Sequence, residues 1–149
     1  MAAGRLVNHV FQYGGNIGTY LILGGYDVKG PQLIEVSADG NSFGFPYITL
    51  GSGSLAAMGV IESSYKDDMT EVEAKAMCIK AIEAGIYHDL GSGSNVDVCV
   101  IKKDKVTMHR NIKTDNKKVF AKPGGYKFDP KRVVVLEEYR QKLVVADAA

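Results

Sequence analysis

The sequence contains no tryptophan, only two cysteines and no long apolar run, and its charges nearly cancel. Eighteen Lys and Arg stand against seventeen Asp and Glu, a formal charge of +1. No one-sign field draws such a chain onto nucleic acid or an anionic lipid surface. The longest apolar stretch, Ile17 to Gly25, falls far short of the roughly 20 residues of a membrane-spanning helix. The N-terminus has neither the basic head nor the apolar core of a signal peptide. Cys78 and Cys99 lie in apolar periodic segments without metal or redox spacing, and are expected to be small buried hydrophobes in a reducing compartment. Cytoplasm and nucleus are the expected locations, with no nucleic acid and no membrane as partner.

What is present is ordinary in bulk: 149 residues, 46% hydrophobic and 23% charged. That suits one soluble globular domain and is too apolar for intrinsic disorder. Glycine, at seventeen residues, is the unusual abundance. Many fall in clusters (Gly14-Gly15, Gly24-Gly25, Gly51 and Gly53, Gly91 and Gly93, Gly124-Gly125), where they mark turns or close backbone approach.

Periodicity divides the chain into elements. Leu6, Val7, Val10 and Phe11 share one helical face, and Gly14-Gly15 ends that helix. Ile17 to Leu23 reads as a strand covered on both faces, Gln32 to Val36 as its hairpin partner and Tyr47 to Leu50 as a third strand. Leu55 to Glu62 is an apolar, alanine-rich helix expected to be buried over most of its surface. Thr70 and Glu73 have capping-box spacing and start a second helix, which runs to about His88 with Val72, Ala76, Ile79, Ile82 and Ile86 on one face. Val96 to Lys102 and Val106 to Arg110 form a second hairpin. From Asn111 to Pro130 the chain is a polar excursion, followed by a β-prone run at Val133 to Leu136 and a charged, then apolar tail. The order predicts an α+β fold, with antiparallel hairpins and helices segregated to one side.

Leu-Gly-Ser-Gly-Ser occurs twice, at Leu50 to Ser54 before a helix and at Leu90 to Ser94 after one. Three readings of the first copy are open: a phosphate cradle, although it lacks the lysine of a P-loop; a tight turn whose hydroxyls cap the helix; or hydroxyls that orient another catalytic group. His9, His88 and His109 have no ligand spacing, and no cofactor or metal is implied.

The segments Tyr13-Gly14-Gly15-Asn16-Ile17-Gly18, Gly24-Gly25-Tyr26-Asp27, Leu50 to Met58 and Ala84 to Asp97 closely resemble 20S proteasome beta subunits. The serine-rich form of both loops resembles the class with trypsin-like specificity. The resemblance implies a partial α-β-β-α sandwich of the N-terminal-nucleophile hydrolase type. In that family a threonine at the mature N-terminus is the nucleophile and its own amine the general base. Carried over residue by residue, Asp89 and Ser92 match the family's Asp-x-x-Ser, and Ser52 matches the serine ahead of the buried helix. Their implied role is to hold the threonine's hydroxyl and amine and to pass a proton through water. The implied partners are other alpha and beta subunits in stacked seven-membered rings, and unfolded polypeptide as substrate. The implied division is 1–110 as the C-terminal portion of the subunit core, and 111–149 as loop and arm on a neighbouring subunit.

No segment resembles the family's stretch beginning Thr-Thr. Thr19 is expected inside a strand and Thr49 just ahead of the first loop, so neither fits as the nucleophile. The expectation is therefore a C-terminal portion of a beta subunit, lacking the N-terminal threonine and inactive alone, with trypsin-like threonine endopeptidase activity belonging to the family. The alternative is a non-catalytic structural or assembly paralogue.

Overall fold

The computed structural model describes residues 2–114, 121–129 and 134–142. The chain divides into two units, Met1–Lys118 and Val119–Ala149. In the first, the order is α1 (Ala2–Gln12), β1 (Leu21–Asp27), β2 (Gly30–Val36), β3 (Ser42–Gly44), α2 (Ser54–Ser64), α3 (Glu71–His88), β4 (Val96–Lys102) and β5 (Lys105–Lys113). Strands β1-β2-β3 make one antiparallel sheet and β4-β5 a second. The class is mixed α+β.

Helix α1 ends where the glycines predict. Beyond it the chain keeps turning through Gly14, Gly15 and Gly18, all at positive φ, with Gly18 N–H bonded to the Gly15 carbonyl at 3.0 Å. That turning delays the first strand to Leu21, so it does not start at Ile17, and Thr19 lies just before it. The strand instead continues through Asp27, because the hairpin needs only Val28 and Lys29 to reverse. Asp27 Oδ1 closes that turn by accepting the Lys29 N–H at 2.7 Å. Burial alternates along β1, with Ile22 44% exposed, so the strand is not covered on both faces.

The third strand is Ser42–Gly44, and Tyr47 to Leu50 has no sheet partner among the described residues. Pro46 offers no N–H to a ladder, and the Tyr47 ring turns instead to Tyr65, their centroids 4.8 Å apart. Strand β5 also runs past Arg110 to Lys113.

Helices α2 and α3 hold the largest buried cluster described: Ala57 and Ile61 interlock with Met77 and Ala81, and Tyr47, Val60, Tyr65 and Met69 pack against them. The capping box forms, with Glu73 N–H donating to Thr70 Oγ1 at 3.3 Å and Thr70 N–H to Glu73 Oε2 at 2.8 Å. The buried side of α3 matches the expected one only at Ile86. Met77, Ala81, Gly85 and Ile86 are buried, whereas Val72 is 74% and Ile82 48% exposed. Ala81 and Gly85, small residues at i and i+4 spacing, let α2 approach closely, and the flexible Met77 fills the space beside Ala57 and Ile61. Helix α2 is covered mainly along that contact, so Leu55 stays 87% exposed and most of the helix is not buried. Cys78 and Cys99 are likewise exposed, not buried.

In the second unit, Gly125 N–H closes a turn onto the Lys122 carbonyl at 2.9 Å, and Tyr126 and Phe128 stack with centroids 6.1 Å apart. Val134 to Leu136 are exposed and form no strand. Lys117, Lys118, Pro130, Val133 and the tail beyond residue 142 lie outside the described residues.

Candidate functional site

The two Gly-Ser loops meet although they stand at opposite ends of different helices. The first precedes α2. Gly51 has φ +111, a left-handed conformation that glycine adopts freely, and Ser54 N–H bonds back to the Gly51 carbonyl at 3.1 Å. Gly53 caps α2 without any side-chain hydrogen bond. The hydroxyl ahead of it therefore does not cap the helix. Ser52 Oγ instead donates to Asp89 Oδ2 at 2.5 Å, across thirty-seven positions of sequence.

Asp89 is the residue that ends α3. Its N–H bonds to the Gly85 carbonyl at 2.9 Å, and the next loop folds back on its carboxylate. Ser92 Oγ donates to the same Oδ2 at 2.5 Å, and Gly91 N–H donates to Oδ1 at 3.1 Å. The three residues singled out in the sequence, Ser52, Asp89 and Ser92, are thus brought into one constellation. Ser52 is exposed; Asp89 and Ser92 are half-buried.

This geometry fixes what each group can still do. An ionised carboxylate only accepts hydrogen bonds, and a hydroxyl has one proton to donate. Both hydroxyl protons are directed at Asp89 Oδ2, so toward any further group each serine oxygen can act only as an acceptor. Such a site suits a hydrogen-bond donor, above all a cationic one. It suits phosphate poorly, because the Asp89 carboxylate would repel it; the phosphate-cradle and helix-capping readings of the first loop both give way.

A cleft of about 570 Å³ opens beside the constellation, with Ser52 and Ser92 on its wall and Ile48, Ile61, Ile82 and Ile86 among its apolar lining. Cys78 lines it too; the residue is open to water overall, but the apolar surroundings desolvate its thiol and push the pKa above its ordinary value. His88 is exposed beside Asp89. Among the described residues no three His, Cys, Asp or Glu side chains converge on a metal-sized space. Thr49, just before the first loop, donates its hydroxyl to the Ser54 carbonyl at 3.0 Å, which makes it a strut of the loop.

Sequence reasoning missed two parts of the site. One is the polar cluster behind the second loop. Asp97 Oδ1 accepts from Asn111 N–H at 2.8 Å and from Asn95 Nδ2 at 2.9 Å, and Asp97 Oδ2 pairs with Arg110 at 2.8 Å. The Asn111 backbone bond first, and the Arg110 guanidinium next, hold the Asp97 carboxyl below its usual range. The cluster sits at an irregularity in the β4-β5 register, with Asn111 at φ +54. Asparagine tolerates that conformation, but nothing in the sequence marks Asn111 as opposite Asp97. The other part is the backbone crossing of Gly53 and Gly85. A glycine inside an otherwise helical segment signals such an approach.

A family model described as "Proteasome subunit" matches residues 1–101, and the chain belongs to that family. It is 47% identical over 139 residues to the "Probable proteasome subunit beta type-2" of Schizosaccharomyces pombe, an alignment covering 93% of this chain and 52% of the relative. It is 52% identical over 111 residues to the "Proteasome subunit beta type-7" of Dictyostelium discoideum, covering 74% and 42%. With the "Proteasome subunit beta type-2" of Saccharomyces cerevisiae it shares 47% identity over 134 residues, covering 89% and 51%. The chain spans about half the length of the curated relatives it matches.

Proposed function

We propose that the chain forms the C-terminal part of a 20S proteasome beta subunit of trypsin-like specificity, a component of the core particle that degrades unfolded polypeptides in cytoplasm and nucleus. Its fold is then a partial α-β-β-α sandwich of the N-terminal-nucleophile hydrolase type. Residues 1–110 belong to the subunit core and 111–149 to a loop and arm on a neighbouring subunit. Its partners are the other alpha and beta subunits in stacked seven-membered rings, and no cofactor takes part.

The observation that carries this reading is the shared acceptor: two serine hydroxyls and a backbone N–H all donate to Asp89. The lone pairs on Ser52 and Ser92 fit the N–H bonds of an α-amine, supplied in this family by an N-terminal threonine from outside these 149 residues. An α-amine titrates near neutral pH and so works as a general base there. As the threonine hydroxyl attacks a peptide carbonyl, its proton passes to the amine, directly or through one water. The ammonium that forms is stabilised by the two serine oxygens and, behind them, by the Asp89 charge. None of the three residues bonds covalently to substrate; they set the orientation and basicity of the amine.

The test is Ser92→Ala in this subunit within assembled core particles. Cleavage after Arg should fall at least tenfold, with cleavage after apolar residues unchanged. Unchanged cleavage after Arg would sink the reading and leave the non-catalytic paralogue in its place.

A further inference from the structure

The backbone crossing of Gly53 and Gly85 is the feature the serine-carboxylate geometry leaves unexplained. Gly53 has φ −87 and ψ 6, the geometry of the third residue of a type I turn, which most L-residues adopt, so turn geometry does not demand glycine there. Space does. A Cβ on Gly53 would lie 3.0 Å from Gly85 Cα, 3.4 Å from the Gly85 carbonyl carbon and 3.3 Å from Ser92 Oγ. Gly85 is buried within α3, and its carbonyl receives the Asp89 N–H that ends the helix. From the other side, a Cβ on Gly85 would lie 3.4 Å from the Gly53 carbonyl oxygen. Two backbones therefore touch here with no side chain between them, one residue from Ser52 and one helical turn from Asp89.

We infer that Gly53 is a positioning residue, and Gly85 its counterpart, whose missing side chains let the two Gly-Ser loops close until Ser52 and Ser92 share one carboxylate oxygen. The inference rests on the proposed reading of the trio and extends it to residues that carry no functional group. A methyl group at position 53 has one hard neighbour, the Gly85 backbone, and one that can turn aside, the Ser92 hydroxyl. Backbone on a packed helix yields little, so the loop carrying Ser52 must lift away from Asp89. The Ser92 hydroxyl, 3.3 Å away, must rotate out of its bond or shift with it. Either movement misaims the acceptors offered to the amine while leaving the substrate cleft intact. The contacts ask for a shift of a few tenths of an ångström, a fraction of the displacement of about 1 Å that costs roughly 100-fold in rate, so the loss is several-fold.

The experiment uses assembled core particles carrying the substitution in this subunit, assayed for cleavage after Arg and normalised to incorporated subunit. Gly53→Ala should lower kcat roughly 3- to 10-fold with KM within about twofold. A merely structural role would reduce the amount assembled, not kcat per particle. Combined with Ser52→Ala, Gly53→Ala should lose less than the product of the two single effects, because part of its loss passes through the Ser52 oxygen. If Gly53→Ala prevents assembly, Gly85→Ala carries the test; its 3.4 Å contact is softer, and a smaller fall in kcat is expected. Gly59→Ala, a helix position whose added Cβ meets nothing within 4 Å, should behave as wild type. A wild-type kcat in Gly53→Ala, or in Gly85→Ala where that variant stands in, overturns the inference, as does a full additive loss in the double variant. If Ser92→Ala is also fully active, the reading of the trio itself has failed; if Ser92→Ala is impaired, only the positioning role has.

Discussion

Replacing Asp89 by asparagine changes one atom and one charge, and the hydrogen bonds around the carboxylate set the cost. Oδ2 accepts two hydroxyl protons at 2.5 Å, and Oδ1 accepts the Gly91 N–H at 3.1 Å. An amide offers one acceptor oxygen and one donor nitrogen. With its oxygen in the Oδ2 place, both serines stay bonded, but the amide nitrogen meets the Gly91 N–H donor to donor. Flipped, it satisfies Gly91 and leaves both hydroxyls without an acceptor. Every orientation loses at least one bond, and those that survive lose their charge assistance, roughly half their strength. Taking about 1 kcal/mol per bond, the modest figure suited to a site open to water, the loss is about 2–3 kcal/mol. If the transition state feels all of it, kcat falls roughly 30- to 150-fold. The measurement is steady-state cleavage of a fluorogenic peptide ending in Arg by core particles carrying Asp89→Asn, with KM determined separately. The loss should fall on kcat. A wild-type kcat would show that the carboxylate is only a loop staple, and the proposed role of the serines would fall with it.

Contacts elsewhere in the chain set three further outcomes. Thr70→Ala removes the N-cap acceptor of α3, worth about 1 kcal/mol, and should speed amide exchange in the first turn of that helix about fivefold, read by hydrogen-exchange mass spectrometry. Gly40→Ala should be strongly destabilising and free α1, since Gly40 has φ +88 and its Cβ would lie 2.7 Å from Phe11 Cβ; unchanged exchange across Ala2–Gln12 would contradict this. Asp97 has a folded-state pKa lowered by the Asn111 N–H and then by Arg110. Its contribution is fully present above the unfolded pKa near 4 and is lost as pH falls through the lower folded value. Exchange at Asn111 should therefore accelerate only below about pH 4, and Asp97→Asn should weaken that acid response.

How much of this arrangement is legible in the sequence depends on the range of the interaction. The capping box at Thr70 and Glu73, the helix stop at Gly14-Gly15 and the Lys102 to Lys105 reversal are set within a few residues, so local chemistry is enough. Strand boundaries depart from the apolar pattern where tertiary or neighbouring geometry overrides it. Ile17 belongs to a turn because three nearby glycines adopt positive φ, and Tyr47 leaves the sheet for the Tyr65 ring. The buried side of α3 escapes a pattern built on large side chains, because close helix packing selects small ones. Of the site, residue types matched to a family pick out Ser52, Asp89 and Ser92. The shared Oδ2 and the Gly53–Gly85 crossing are contacts across more than thirty residues; a glycine within α3 marks a close approach, but no local pattern names the partner.

The same distinction explains why this geometry survives in a chain with so little core. Fully buried side chains are few among the described residues: Val10, Val36 and Val96 lead them, while Ile22, Leu55 and Ile82 remain open to water. The α2–α3 pair is the exception. Ala57, Ile61, Met77 and Ala81 close a small core between the helices, and the two Gly-Ser loops emerge from the same end of that pair, the start of α2 and the finish of α3. Whatever holds the two helices in register also sets the distance from Ser52 to Asp89. Ser52 and Asp89 are thus anchored to the part of the chain that packs against itself, with the apolar cleft opening beside them. Truncating the helix core, for instance with Ile61→Ala, should on this logic weaken the Ser52–Asp89 bond at a distance. Its expected signature is a drop in kcat together with looser exchange at both helix ends, whereas a stability loss with wild-type kcat would separate the site from the core that carries it.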